Sequence, residues 1–570
     1  MIRIPYGESD FKKLMDDKYF YQDRTEFIRK LEKWDSSYPI FLRPRRFGKS
    51  LFVSMLQCYY GLEYKEGFAS LFGHLYIGRN PTALANKYMV LRFEFSGLDT
   101  ATHESTYQSF LTNVIVGART FLATYRSFFS DADRETALGQ KSPEAIIKTI
   151  FSMAQANRVP HKIYVLIDEY DQFANELLSF DLDRFKSDVS RNGFVRKFYE
   201  TLKTATGMGI VGRIFITGVS PVTMDSMTSG FNISSNISLN PLFHDMMGFT
   251  HSEVEGMLGK ADIPVEKIPD MMSDLTDWYD GYIFAEDISA PLFNPDMVLY
   301  FLQGYGIKGT YPAKMLDPNI VSDYGKIRNL FRIGGSETEK FGLLERLVET
   351  GAISFSLTEI FSFERPFTQE DFLSLLYYMG MLTVGEVRNM RWQFRIPNYV
   401  IKKLYFEYFA SIFLAKTQFA NTRIPLEDAI DALGNEANPE PFFKAVAHVL
   451  TKNHSNRDRM HYGEKHLQTL VIGILHFYNA YYIRSEYAVG TGYADIFLEK
   501  MPDRPINYEI VLELKYVKKA AKATLPDVAA EARTQLAGYM RSERFSRPDV
   551  RGFYVVFLGG EVYEWSMVTG

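Results

Sequence analysis

Lys49 and Ser50 close the stretch FLRPRRFGKS, and Asp168 and Glu169 end the apolar run in KIYVLIDEYDQF. A lysine at the mouth of a helix can meet the β- and γ-phosphates of a nucleotide, and the serine hydroxyl beside it can ligate Mg2+. Gly48, just before them, lets the backbone approach an anion closely. An acid at the tip of a neighbouring strand completes such a metal shell, the role expected of Asp168. Glu169 would then orient and deprotonate the attacking water. A second set lies near the other end of the chain: Asp495, Glu513 and Lys515. Two carboxylates can hold one or two Mg2+ (or Mn2+), and a lysine can compensate the charge that develops on a phosphodiester under attack.

The phosphate-loop pattern G-x-x-x-x-G-K-[ST] requires its first glycine at position 43, where this chain has Arg43. A modified loop turn is therefore expected. Arg43, Pro44, Arg45, Arg46 and Phe47 lead into Gly48, Lys49, Ser50 and Leu51, and all nine are expected to surround the nucleotide. The arginines, Arg43 among them, are free to add positive charge toward the phosphates. Taken alone, G-K-S also fits a surface turn. The flanking elements and the acidic pair at 168–169 favour the phosphate loop. A third strand-like piece, RIFITGVSP, ends in Thr217 with Ser220 just beyond, where polar side chains can sense a γ-phosphate.

These residues need elements to hold them. YPIFL, YMVLRFEF, KIYVLID and IVGRIFITG are short apolar β-rich runs, separated by helix-like segments such as SLFVSMLQCYYG and GFVRKFYETLKTA. Strands alternating with helices imply a mostly parallel sheet. From about Thr250 the pattern turns helical. A softer stretch near 417–441 precedes the helix-like EKHLQTLVIGILHFY and three strand-like pieces. A further helix, DVAAEARTQLAGYMRSE, and a last strand, RGFYVVFLGG, close the chain. The expected fold class is α/β, with a phosphate-loop core over 1–248, a helical, winged-helix-like middle over 249–424 and a smaller α/β domain over 425–570. Within the last, Glu513 and Lys515 are two apart on a strand and share a face, while hairpin pairing can bring Asp495 beside Glu513.

Composition sets the outer bounds. The 570 residues are 46% hydrophobic and 23% charged, with 46 Phe and 36 Tyr, as expected of aromatic-rich globular cores. A net charge of -5 excludes a uniformly basic nucleic-acid binder but leaves room for a local basic groove. The lone cysteine, Cys58, can form no internal disulfide and points to a reducing compartment. No apolar run approaches the roughly 18 residues of a membrane span, and the opening residues are charged where a secretory signal is apolar. A cytoplasmic protein without a membrane partner is expected.

Several motifs together resemble the AAA-ATPase-like proteins of bacteria and archaea that carry a C-terminal PD-(D/E)XK nuclease-like domain. They are YFYQDRTEFI, LRPRRFGKSLF, VLIDEYD, WYDGYIF, LFNPDMVLYFL, YYMGMLTV and IPNYVIKKLYFEYF. The resemblance spans nearly the whole chain, and R-P-R-R-F-G-K-S is itself a mark of that family. It implies an additional-strand ATPase. It also implies a nucleotide-holding role for Asp23, Arg24 and Thr25, with Arg24 where the family often has Lys. In the last domain it implies a core set of Asp495, Glu513 and Lys515 in the spacing D-x17-E-x-K. Glu464 on the first helix would join the metal site, with Gln535 and Tyr539 on the following helix. The family often has Arg where this chain has Tyr493. Glu486 is a second-rank candidate, and Lys518 and Lys519 would give a basic rim. The aromatic Trp278, Tyr279 and Tyr282, with Asp280, read as a packing corner or a nucleotide lid, packing being favoured.

The expected function is ATP binding and hydrolysis coupled to a Mg2+-dependent nuclease domain. By resemblance the substrate is DNA, and the chain can form a homo-oligomer. The alternative is a nucleotide-controlled switch whose C-terminal domain binds nucleic acid or protein without cleaving it.

Overall fold

The structure, a computed structural model, describes residues 2–172, 174, 193–222, 231–312, 314–320, 337–361, 367–388, 391–415, 423–452, 463–476, 481–490, 492–501 and 505–569. Two compact units are present, one made of Met1–Gly309 and Met315–Tyr399, the other of Thr310–Lys314 and Val400–Gly570.

The first unit is built on five strands: β1 (Pro39–Leu42), β2 (Met89–Glu94), β3 (Ile163–Asp168), β4 (Val211–Gly218) and β5 (Ser235–Asn236). They pair in parallel in the order β2-β3-β4-β1-β5. Every residue of β1 and β3 is buried, which is why both read as unbroken apolar runs rather than as alternating ones. β4 lies between β1 and β3, so the sheet has the additional strand that the sequence implies. Register brings the strand tips level, with Leu42 opposite Gly218 and Glu94 opposite Asp168. The loop after β1, the acid ending β3 and Thr217 thereby share the C-terminal edge of the sheet, where open α/β sheets bind ligands.

The stretch beyond residue 249 packs into this same unit. Its helices include His251–Lys260, Ile268–Tyr279, Pro295–Lys308 and Gln369–Tyr378, with a three-stranded antiparallel sheet of β6 (Ala352–Phe355), β7 (Thr383–Arg388) and β8 (Arg391–Arg395) in the order β6-β8-β7. Trp278, Tyr279 and Tyr282 are buried, and Tyr282 and Phe284 meet Phe47 edge-on. Gly281 has φ +100, and a Cβ there would lie 2.0 Å from the Pro397 carbonyl oxygen. The aromatic corner is thus a packing element that buttresses the loop after β1. The soft stretch in the sequence suggests a boundary near 425, while the compact units divide at Tyr399/Val400, where Tyr399 still packs on Trp278.

The second unit carries β9 (Tyr481–Val489), β10 (Gly492–Lys500), β11 (Glu509–Val517), β12 (Val550–Leu558) and β13 (Glu561–Val568), in the order β13-β12-β11-β10-β9. Only β11 and β12 run parallel. The helix Leu525–Met540 makes the crossover between them and buries Leu525, Ala529, Ala532, Leu536 and Met540 against the sheet. β13 goes beyond the sequence reading, which ends the domain at β12. Gly559 and Gly560, both at positive φ, turn the chain back into it.

Candidate functional site

The loop after β1 is held by its neighbours on every side. Gly48 has φ +89 and Arg46 φ +67, the left-handed conformations that turn backbone N–H groups toward a common point. The helix Lys49–Tyr60 starts at Gly48 without any side-chain cap, so its free N–H groups and positive end face the loop. Over it opens a cavity of about 440 Å3, lined by Arg45 to Phe52, Glu169 and Gln172 on one side. Phe20, Tyr21, Met247, Phe249 and Leu299 form part of its apolar remainder. Lys49 is buried, and its Nζ donates to the carbonyls of Arg43 and Pro44 at 3.0 and 2.9 Å. Burial pushes its pKa down, so the ammonium is poorly solvated and well placed to exchange these carbonyls for phosphate oxygens.

The arginines divide. Arg43 is the correction to the sequence reading, since its side chain turns away from the cavity into the protein. Its guanidinium donates to the carbonyls of Leu42, Ser238, Phe243 and His244, and lies between the rings of Phe41 and Phe284. Burial lowers its pKa to about 9. The first loop position therefore braces the fold and presents no phosphate contact. Arg45 reaches Gln172 at 3.2 Å. Arg46 pairs with Asp296 at 2.8 Å, in the first turn of the Pro295–Lys308 helix that Asn294 caps. Phe47 is buried under the aromatic corner, and Pro44 abuts Gly380.

Asp168 is fully buried at the end of β3. The Ser50 hydroxyl donates to its carboxylate, whose pKa is raised chiefly by burial. Its Oδ2 makes no hydrogen bond, and Arg92 Nη2 stands 3.8 Å away. Two oxygens from Ser50 and Asp168, meeting beside Lys49, form a donor set that suits a hard cation keeping several waters. Glu169 follows with φ +52, which swings its half-buried carboxyl to the cavity wall, and burial raises its pKa as well. Thr217 is buried on β4 with no partner for its hydroxyl among the described residues. Ser220 is used differently from the sequence reading: its N–H and hydroxyl both go to Asp171. Asp171 ties the β3 and β4 tips together so closely that a Cβ on Gly218 would lie 2.3 Å from its Oδ1.

Asp23 and Thr25 serve the backbone. Asp23 accepts from Thr25 and from the Tyr76 N–H, and Thr25 accepts from the Ile77 N–H. Arg24 lines the cavity but is engaged by Glu253 and the Gly248 carbonyl.

In the second unit, β10 and β11 part company at a fork. Their pairing runs from Leu498/Ile510 to Ile496/Leu512 and stops. One residue further, Asp495 Oδ2 accepts the Leu514 N–H at 2.7 Å, so a carboxylate bridges the opening. Gln468 on the Glu464–Leu475 helix holds the Asp495 carbonyl at 2.7 Å. Glu513 is buried, and its Oε2 has no hydrogen bond. Burial, and then the nearby Asp495, raise its pKa well above the usual carboxylate range. Lys515 Nζ lies 3.0 Å from Glu513 Oε1 and 3.2 Å from Glu464 Oε1. Burial opposes its charge, but Glu513 and then Glu464 hold its pKa above the ordinary value. Glu464 thus joins the cluster through the lysine. Among the described residues no three His, Cys, Asp or Glu side chains form a ready-made metal cage. Two carboxylates with one bare buried oxygen still fit Mg2+, which takes few protein ligands. Tyr539 borders the same group of charges, and a Gln535 oxygen is buried without a partner. The side chain of Glu486 lies outside the described residues. Lys518 and Lys519 are exposed just beyond β11.

Asp171, Asp296 and Arg92 are neighbours of this candidate site that the sequence reading misses. Asp171 lies in plain view in D-E-Y-D, and Asp296 follows a helix-capping Asn-Pro. No helix among the described residues is long and apolar enough to cross a membrane.

Two family models match the chain, one within each of the two units. A family model described as "Predicted AAA-ATPase" matches residues 5–228, and one for the PD-(D/E)XK nuclease superfamily matches 462–565. An uncharacterized protein from the vnfD 5' region of Azotobacter chroococcum mcd 1 is 25% identical over 411 residues, covering 70% of this chain and 68% of that one. A Walker-type ATPase of Pyrococcus abyssi, PABY2304, aligns with 67% of this chain and 95% of its own at a TM-score of 0.39 and 12% identity.

Proposed function

From a chain with an AAA-ATPase-like domain over 5–228 and a PD-(D/E)XK nuclease-superfamily domain over 462–565, we propose an ATP-hydrolysing protein that couples nucleotide state to Mg2+-dependent cleavage of DNA. One recurring arrangement carries the reading. Each site holds a buried carboxylate oxygen without a hydrogen bond, Asp168 Oδ2 in one and Glu513 Oε2 in the other, with a lysine nearby. Burial raises the pKa of both carboxyls, and a divalent ion at the open oxygen would stabilise the ionised form.

In the first site Lys49 exchanges its loop carbonyls for β- and γ-phosphate oxygens. Ser50 and Asp168 would hold the metal shell, and Glu169 would take the proton of the attacking water. The apolar half of the cavity receives the base. In the second site Asp495 and Glu513 would hold the ion, and Lys515 would neutralise charge on the phosphodiester. Bound Mg2+ supplies Lewis-acid stabilisation of phosphate charge and a more acidic water.

The test is a cleavage assay of the full chain with Mg2+ or Mn2+, with and without ATP, on single- and double-stranded DNA and on RNA. Metal-dependent cleavage that disappears in Asp495→Ala supports the reading. Absence of cleavage, together with absence of metal binding by calorimetry, would favour a nucleotide-controlled binding protein.

A further inference from the structure

We propose that Tyr493 is a stacking platform for an unpaired base, so that the carboxylate fork acts on single strands or frayed ends in preference to intact duplex. The inference rests on the nuclease reading above and names the substrate class of that site.

Tyr493 stands two residues before Asp495 on β10, which puts both on one face of the strand. Its side chain is among the most exposed large apolar groups of the protein, at 64%. Nearby aromatics of the same hairpin are used differently: Tyr481, Tyr482 and Phe497 are buried. The position is nevertheless firmly fixed. Register with β9 is regular here, with Gly492 opposite Val489 and Tyr493 opposite Ala488. The backbone at Tyr493 hydrogen-bonds to Tyr539, and Gly492 sits so close to that ring that a Cβ would lie 2.8 Å from it. A rigid backbone thus presents an uncovered ring at the lip of the site.

An exposed tyrosine adds little to the core, so its value lies in what it meets. Every base has a π-face, and stacking on an aromatic ring is insensitive to sequence. In a duplex those faces are covered by neighbouring pairs. A ring held at the lip can reach only a base that is unpaired, terminal or turned out of the stack. Lys522, exposed beyond the strand that carries Lys515, offers charge for the backbone of the bound nucleic acid.

The test uses the full chain with Ca2+ in place of Mg2+, so that binding is read without cleavage, with fluorescence anisotropy on a labelled thymine oligonucleotide and on a blunt duplex of equal length. Wild-type protein should prefer the single strand. Tyr493→Ala should weaken single-strand binding by about 5- to 150-fold, the worth of one stacked base, and leave duplex binding within about twofold. Tyr493→Phe and Tyr493→Trp should retain single-strand binding. The dependence of affinity on salt should not change in any variant, because no phosphate contact is lost. Equal losses on both substrates, no loss with alanine, or a phenylalanine variant as weak as alanine would each overturn the platform while leaving the nuclease reading in place. Duplex preference in the wild type would do the same. Failure of the wild type to bind any nucleic acid would overturn both.

Discussion

The Arg43 guanidinium lies 4.2 Å from the centroid of the Phe284 ring, so a loop residue expected at a phosphate is instead a core brace. Arg43→Ala leaves four carbonyls without their donor. We expect a loss of about 3 kcal/mol or more, since each buried polar group left unpaired costs about 1–3 kcal/mol. Arg43→Lys should not rescue it, because a point charge cannot serve carbonyls spread over three segments. Thermal melts measure this directly. ATP and AMP affinities should fall together. A folded variant that loses ATP and keeps AMP would return Arg43 to the phosphates.

At the nucleotide site, Lys49→Ala should weaken ATP by about tenfold or more, the worth of a charged hydrogen bond. Glu169→Gln should bind ATP normally and slow hydrolysis by about 100- to 10,000-fold, the usual contribution of a general base. Calorimetry and phosphate release separate the two effects. Hydrolysis at the wild-type rate in Glu169→Gln would show that another group activates the water.

At the fork, Asp495→Ala should lose metal binding and cleavage together. It also leaves the Leu514 N–H without its acceptor, so Asp495→Asn is the better control for folding. Lys515→Ala should keep the metal and lose cleavage by about 100- to 1,000-fold, because it removes charge compensation and no ligand. Neither change should alter ATP affinity. Cleavage undiminished in Asp495→Ala would place the activity elsewhere.

Asp280 gives a pH signature. Burial raises its pKa from 3.8 to about 6. Between these values the folded protein binds more protons than the unfolded chain, so stability falls as pH rises through the window and levels off above it. Asp280→Asn should remove that loss. At pH 7 the variant should be more stable by about 1–3 kcal/mol, at about 1.4 kcal/mol per pKa unit, with little difference near pH 4. Melting curves across this range that run parallel would show that Asp280 does not titrate as placed.

The sequence displays what depends on local pattern. β3 could be read because all of its residues are buried, and the acids follow at its tip. Lys49 and Ser50 could be read because a glycine and a good helix flank them. Arg43 could not, since its direction is set by carbonyls at 238, 243 and 244, some 200 residues away. The link from Arg46 to Asp296 was hidden for the same reason, with Asp296 visible only as part of a helix start. The fork at Asp495 depends on where two strands cease to pair, which alternation does not encode. β13 was missed because it lies at the sheet edge and most of its residues are not buried, leaving little hydrophobic signal.

The strand order also dictates a timetable for biosynthesis. Among the described residues β1 pairs only with β4 and β5, so the first strand to be made has no partner until residue 211 emerges and no second one until 236. At about 5–20 residues per second that interval is roughly eight to forty seconds. For that time the apolar PIFL segment and the phosphate loop behind it are unassembled on the ribosome. The sheet edge that carries the phosphate loop is therefore completed only after residue 236 has been made.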